Sequence, residues 1–210
     1  MIGRRSVLAG LVLGSGMSSI GLGASCIVTP SQVEGPFYPV EFGELDADLT
    51  RIEGGSTRAS GEVIEILGQV TDEKCKPLTG AVVEIWQANS IGRYVHPRDR
   101  GVERQLDPNF QGYGRIRLDK QGKYRFITIK PGSYPAMGSW VRPPHIHVRV
   151  TFKETSSFTT QMYFAGEQLN EADHLLQRLN LGGRMSLIVP FDETREDGVK
   201  TGIFNVILKV

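Results

Sequence analysis

His145-Ile146-His147-Val148-Arg149-Val150-Thr151-Phe152 is a stretch in which polar and apolar side chains alternate at every position. Successive residues of a β-strand point to opposite faces, so this alternation predicts a strand with one apolar face. We expect Ile146, Val148, Val150 and Phe152 to pack in the core. His145 and His147 would then lie together on the opposite face, beside Arg149.

Segments on either side of this strand have strand-like composition and are separated by turn signals. They are Ile64–Thr71, Ala81–Gln87, Lys123–Thr128, Thr159–Phe164, Met185–Val189 and Ile203–Val210. A series of short strands of this kind predicts an all-β fold, an antiparallel β-sandwich. The 25 glycines and 11 prolines also favour a turn-rich β architecture over a helical one.

Two segments depart from the strand pattern. One short helix is predicted after Asn170, which can cap it, with Asp173 three residues on and leucines following. The stretch from Ser90 to Gly122 has weak periodicity and many glycines, and we interpret it as a long loop. Loops of that length inside a compact domain are usually functional.

Length and charge exclude several classes of protein. The chain of 210 residues suffices for one domain with a single sizeable core, and its 40% hydrophobic and 22% charged content is that of a globular protein. The formal net charge is only +1 and no basic run stands out, so we expect no nucleic-acid partner.

The N-terminus is typical of an export signal. Arg4 and Arg5 precede an apolar, glycine-rich stretch that is too short for a good membrane span. We therefore predict a twin-arginine-type signal peptide over 1–25, a periplasmic or secreted protein, and no stable membrane span after processing. An uncleaved anchor helix and a lipoprotein modified at Cys26 are the alternatives. Cys26 and Cys75 permit one disulfide, but the sequence does not show that they meet.

The two histidines of the alternating strand are candidate metal ligands. Two imidazoles on one strand face can chelate a metal, and alone they suggest zinc, copper or iron(II). They could equally be hydrogen-bonded structural histidines. Tyr94 and Tyr134, each ordinary packing residues if taken singly, change this interpretation, because phenolate is a ligand known for ferric iron. Spacing alone does not show that the tyrosines meet the histidines.

Several motifs in fixed order extend the argument over residues 34 to 165. They are Gly35-Pro36-Phe37-Tyr38-Pro39, Gly80–Asn89, Gly92-Arg93-Tyr94, Asp107–Phe110, Tyr124–Gly132, Tyr134-Pro135, Arg142–His147 and Thr160–Phe164. This series resembles the intradiol ring-cleavage dioxygenases, most closely the protocatechuate 3,4-dioxygenase branch. An ordered series of motifs is far more specific than any single one.

The resemblance implies a function and a site. It implies an enzyme that opens a catechol between its two hydroxyl-bearing carbons with O2, giving a cis,cis-muconate-type dicarboxylic acid. It implies one non-haem Fe(III) ion bound by Tyr94, Tyr134, His145 and His147. It also implies that Arg142 and Gln161 line the substrate pocket, and that Tyr134 is the ligand displaced by substrate. Residues 26–60 would be an N-terminal extended arm and residues 61–210 the catalytic β-sandwich.

Two other classes of function remain open at this point. Gly68–Asp72 and Pro77–Val83 also resemble transthyretin (prealbumin-like) sandwiches, and a module of that type could bind a ligand without catalysis. A zinc hydrolase could use His145 and His147, but it needs a third histidine or carboxylate ligand. Whether the chain forms a homo-oligomer is also left open.

Overall fold

The computed structural model describes residues 26–101, 103–153 and 156–210. Their secondary structure is mostly strand. The strands are β1 Val63–Asp72, β2 Val82–Trp86, β3 Tyr113–Arg117, β4 Lys123–Ile129, β5 Tyr134–Pro135, β6 Val141–Arg142, β7 His145–Phe152, β8 Ser156–Phe164, β9 Ile188–Val189, β10 Glu193–Thr194, β11 Lys200–Ile203 and β12 Val206–Leu208.

The strands form two five-stranded sheets and one small hairpin. One sheet has the order β10-β11-β1-β12 with β4 on the other edge of β1, and the second has the order β3-β2-β7-β8-β9. The hairpin joins β5 and β6. The all-β sandwich prediction is confirmed. Most pairs are antiparallel, but β1 pairs in parallel with β11 and β12, and β8 with β9, so the sheets are mixed.

The core lies between the inner faces of the two sheets. Ile146, Val148 and Val150 are buried there, opposite β1 residues such as Ile64 and Ile66. The apolar face that the alternation of β7 predicted is therefore the core face. The outer face of β2 and β7 is buried as well, but under loops, and this is where the histidines lie.

The prediction of one short helix is confirmed, but the helix does not follow Asn170 directly. Residues Gln168–Ala172 and Leu176–Arg178 form 3₁₀ turns, and the α-helix, α1, is Leu181–Leu187. Asn180 caps α1, since its side chain accepts a hydrogen bond from the Gly183 amide at 2.8 Å. The pattern at Asn170 suggested a cap, but the Asn170 side chain donates to Phe164 O, and it is the Asp173 carboxylate that accepts the backbone N–H groups of Leu175 and Leu176.

Three other boundaries are corrected. Most of the predicted strand Met185–Val189 belongs to α1, and only its last two residues form β9. The predicted strand Ile203–Val210 is interrupted: its first residue ends β11, and β12 covers only Val206–Leu208. The predicted loop from Ser90 to Gly122 contains β3, a short edge strand whose central residues are partly exposed.

The arm predicted over residues 26–60 is irregular and is tied to the sandwich. The backbone N–H of Thr29 donates to Ile207 O at 3.0 Å, and the backbone N–H of Gln32 donates to Thr159 O at 2.9 Å. A disulfide joins Cys26 to Cys75 in the turn that follows β1. The predicted signal peptide lies outside the described residues. Within them, no helix has the length and apolar character needed to cross a membrane.

Candidate metal centre

Four side chains from three separate segments meet at the outer face of β7. His145 and His147 project from the strand, Tyr134 comes from β5, and Tyr94 from the loop after β2. Their ring centroids are 5.0 Å apart for His145–His147, 5.5 Å for His145–Tyr134, 5.4 Å for Tyr134–Tyr94 and 6.4 Å for Tyr94–His147. The structure thus brings together all four residues predicted to be ligands, and all are buried.

One pair of polar atoms in this cluster has the spacing of ligands that share one ion. Tyr134 Oη lies 3.4 Å from His145 Nε2. Two donors that are each roughly 2.1 Å from a metal ion lie roughly 3.0 Å apart at a right angle and roughly 3.4 Å apart at the tetrahedral angle. Tyr94 Oη is buried without a hydrogen-bond partner among the described residues. Such an atom is rare unless it has a ligand, so the residues fit a bound metal ion.

The histidines are in the charge state that a metal requires. His145 Nδ1 donates to Pro143 O at 2.7 Å, which leaves Nε2 available as a ligand atom. Burial and the positive charge of Arg142 lower the pKa of His147 to about 3. Burial and the charges of Arg142 and His147 hold the pKa of His145 well below its usual value. Both rings are therefore neutral at pH 7.

The tyrosines hold their protons in the metal-free protein. Burial and the neighbouring Tyr134 phenol raise the pKa of Tyr94 well above its usual value. Burial also raises the pKa of Tyr134, against the opposing effect of Arg142. A cation must therefore displace both protons when it binds, and only a strongly charged metal ion does so readily.

Asp99 holds the Tyr94 loop in place. One of its carboxylate oxygens accepts the Tyr94 backbone N–H at 2.8 Å. The other lies 3.3 Å from Arg93 and 3.5 Å from Arg104, and it accepts the Gly101 N–H at 3.0 Å. A buried carboxylate with this many donors fixes the loop, so Tyr94 is presented to the cluster on a rigid support.

Arg142 lies beside the cluster and is held by three neighbouring side chains. Its Nε donates to Asp173 at 2.7 Å, and its terminal nitrogen donates to Gln161 at 2.6 Å and to Tyr163 Oη at 3.1 Å. Arg142 also pairs across the β5–β6 hairpin with Tyr134. The predicted pocket residues Arg142 and Gln161 therefore contact each other directly. Asp173 and Tyr163, which sequence reasoning gave no role at the site, complete this network.

The N-terminal arm covers the cluster. The Phe37 ring lies 4.6 Å from that of Tyr94 and 6.0 Å from that of Tyr134. Gln161 donates to Val33 O at 2.9 Å, and Tyr163 donates to Gln32 at 3.1 Å. The Gly35–Pro39 motif marked this part of the arm in the sequence. It did not show that the arm covers the cluster.

The alternative of a zinc hydrolase lacks its ligands. Across residues 26–101, 103–153 and 156–210, no three histidine, cysteine, aspartate or glutamate side chains converge on a metal position. His96 packs against Phe37 with ring centroids 5.7 Å apart, and His174 stacks on Trp140 at 4.7 Å. Neither histidine joins the pair on β7.

Comparison with known proteins agrees with this geometry. A protein-family profile described as "Dioxygenase" matches residues 33–209. The protocatechuate 3,4-dioxygenase beta chain of Burkholderia cepacia is 42% identical over 181 residues, covering 83% of this chain and 76% of that one. The chain belongs to the intradiol ring-cleavage dioxygenase family. Among other family members, the catechol 1,2-dioxygenase 1 of Acinetobacter lwoffii is 33% identical over 154 residues, which cover 67% of this chain and 48% of that one.

Solved structures of this dioxygenase family share the fold. The dioxygenase domain of a dioxygenase–carbohydrate-binding fusion from Streptomyces sp. SirexAA-E is 27% identical, with a TM-score of 0.67 over 88% of this chain and 99% of that domain. An intradiol ring-cleavage dioxygenase from Tetranychus urticae has a TM-score of 0.70 at 23% identity, over 88% of this chain and 95% of that one. The second likeness supports the fold alone.

Proposed function

We propose that this intradiol dioxygenase uses one non-haem Fe(III) ion, held by Tyr94, Tyr134, His145 and His147, to open a protocatechuate-like catechol with O2. The product would be a cis,cis-muconate-type dicarboxylic acid. The observation that carries the proposal is the meeting of two phenol oxygens and two neutral imidazoles, with Tyr94 Oη buried and unpartnered among the described residues. Hard phenolate oxygens suit a ferric ion better than zinc or copper(I).

When bound, the ferric ion would lower the pKa of both catechol hydroxyls, and the doubly deprotonated ring would be electron-rich enough to react with O2. The chain's own contribution is to receive protons, to orient the ring and to exclude water. The site supports this role because its ligands and Arg142 are all buried beneath the arm. Interactions with a developing charge are stronger in such a water-poor environment.

The two tyrosines are suited to different tasks. Tyr94 stands on the loop fixed by Asp99, so its position is rigid. Tyr134 belongs to a two-residue strand in a small hairpin, which has little other support in the sheets. We propose that Tyr94 remains a ligand throughout. Tyr134 would swing away when substrate arrives and accept one of its protons at Oη, close to the positive charge of Arg142.

Arg142 would stabilise the negative charge that builds up on the substrate. Asp173, Gln161 and Tyr163 hold its guanidinium before substrate arrives, so little reorganisation is needed at the moment of reaction. Gln161 is fixed in turn by Val33 O and can contact the substrate from the same wall. The likeness to a protocatechuate 3,4-dioxygenase beta chain favours a catechol that carries a carboxylate, with catechol itself as the second candidate.

Metal analysis and oxygen uptake test this proposal together. The purified protein should contain iron, show a visible phenolate-to-iron charge-transfer colour, and consume O2 with protocatechuate or catechol. Tyr94→Phe should weaken iron retention, whereas Tyr134→Phe should keep iron and bind catechol slowly. Colourless, active protein that contains zinc would refute the metal assignment. Equal loss of iron in both variants would refute the division of roles.

We further propose export through the twin-arginine-type signal over 1–25, to the periplasm or the medium. The Cys26–Cys75 disulfide supports an oxidising destination. Replacing Arg4 and Arg5 with lysine should leave the protein in the cytoplasm, and unchanged export would show that the route is another. Relatives named as beta and alpha chains make assembly with further chains a proposal as well, to be tested by sedimentation.

A further inference from the structure

The two histidines of the metal centre are supported in different ways. His145 Nδ1 donates to Pro143 O at 2.7 Å. His147 Nδ1 is buried and has no hydrogen-bond partner among the described residues. Histidines that bind metals almost always donate their second ring N–H to a carboxylate or carbonyl, which fixes the orientation of the ring. Something else must therefore orient His147.

Trp86 lies flat against His147. The two residues are direct cross-strand partners on β2 and β7, and their rings stack with centroids 4.8 Å apart and planes 8° from parallel. Both side chains are only 1% exposed. Rotation of the imidazole about its χ2 angle would drive it into the indole, so the stack restricts the ring to one plane.

Trp86 is itself held from its other sides. The Tyr38 ring meets it edge-on at 5.0 Å, and Tyr38 donates to Glu84 at 3.0 Å. The Arg149 guanidinium lies 4.0 Å from the Tyr38 ring centre and 5.6 Å from that of Trp86, and it forms an ion pair with Glu34. The indole therefore has no freedom to follow His147 if the imidazole turns.

Gly35 supports His147 from a second direction. It has a φ of +74°, which favours glycine, and a Cβ added there would lie 3.3 Å from His147 Cε1. The arm backbone thus passes close to the edge of the imidazole, and a side chain at position 35 would press against the ring.

We infer that Trp86 is the positioning residue of His147 and that its stacking replaces the hydrogen bond that a second metal-binding histidine usually makes. The inference rests on the proposed function, since it concerns how firmly the proposed iron ligand is held. Trp86 acts through His147 and is not required to touch substrate.

The test is the rate at which loaded protein releases iron to a chelator, followed by loss of the charge-transfer absorption. Trp86→Leu removes the flat ring, and iron release should become roughly 10- to 100-fold faster, the range for loss of an outer-shell partner. Trp86→Phe keeps an aromatic face and should stay close to wild type. Trp140→Leu is the control for loss of a tryptophan, because the chain has two tryptophans and Trp140 packs against His174 and Arg142, neither of which is a proposed iron ligand.

The outcomes separate this inference from the proposed function. Wild-type protein that binds no iron would refute the proposed function. Wild-type protein that binds iron, with Trp86→Leu releasing it no faster than Trp140→Leu, would overturn the inference alone. Iron release from Trp86→Phe as fast as from Trp86→Leu would also overturn the inference, since the aromatic face would then not matter. If Trp86→Leu does not fold, Trp86→Met takes its place, because methionine fills much of the same space without a flat ring. Iron release from Trp86→Met that is no faster than from Trp140→Leu would overturn the inference.

Discussion

Asp173 offers the most direct test of how Arg142 is held. Its carboxylate accepts Arg142 Nε at 2.7 Å, with the two side chains 0% and 6% exposed, and it also accepts the backbone N–H groups of Leu175 and Leu176 at 3.1 and 2.8 Å. Removing one member of a buried ion pair costs about 3–5 kcal/mol. Asp173→Asn keeps an acceptor for the backbone and should lose about that amount. Asp173→Ala loses the two backbone hydrogen bonds as well and should lose more.

Denaturant unfolding of the metal-free protein measures the loss directly. Total stability is typically about 5–15 kcal/mol, so the larger loss expected for Asp173→Ala could unfold the protein. Asp173→Asn is therefore the variant to measure. Asp197→Asn is the control, because its ion pair with Arg195 is exposed and should contribute less than about 1 kcal/mol. Oxygen uptake by Asp173→Asn should also fall, since its Arg142 is no longer fixed. A free energy of unfolding within about 1 kcal/mol of wild type, with full oxygen uptake, would refute the reasoning.

Three further perturbations have defined outcomes. Arg142→Lys keeps the charge but loses the planar fork, so it should bind iron normally and consume oxygen roughly 100-fold more slowly; wild-type turnover would contradict this. Because burial raises the pKa of Tyr94 and of Tyr134, iron binding must release both phenol protons, and apparent iron affinity in chelator competition should rise with pH. Tyr134→Phe should reduce that slope by one proton, and an unchanged slope would exclude Tyr134 as a ligand. Reducing the Cys26–Cys75 disulfide, which spans 49 positions, should lower the free energy of unfolding by at most about 4 kcal/mol; no change in denaturation would contradict it.

The sequence predicted those parts of the fold that depend on local pattern. The alternation in β7 correctly placed Ile146 and Val148 on the core face and His145 and His147 on the other face. This works because successive side chains of a strand point to opposite faces and the core buries the apolar one. The single short helix was predicted too early in the chain, since Gly182 and Gly183 in α1 are poor helix formers and the helix is short. β3 was not recognised because an edge strand can keep polar and exposed residues without penalty.

The sequence predicted which side chains meet in the cluster but not which residues support them. Tyr94, Tyr134 and the histidines were identified through motif order, and the structure brings them together. Asp173 was assigned only a local role near the end of a helix. It does accept nearby backbone N–H groups, but its partner Arg142 lies 31 positions away, and only the folded chain brings the two into contact. The stack of Trp86 on His147 likewise depends on the register between β2 and β7, which a single sequence does not specify.

The path of the arm has a consequence for the order in which the protein folds. Its Thr29 is joined to Ile207, 178 positions later, and its Gln32 to Tyr163, 131 positions later. Contacts of such long sequence separation form late, because a large loop must close before they are gained. As the ribosome releases the chain from its N-terminus, the arm must wait for almost the whole polypeptide to be synthesised before it can dock. The cover over the proposed iron ligands would then be among the last parts to close, which leaves an interval in which a metal ion could enter a nearly finished site.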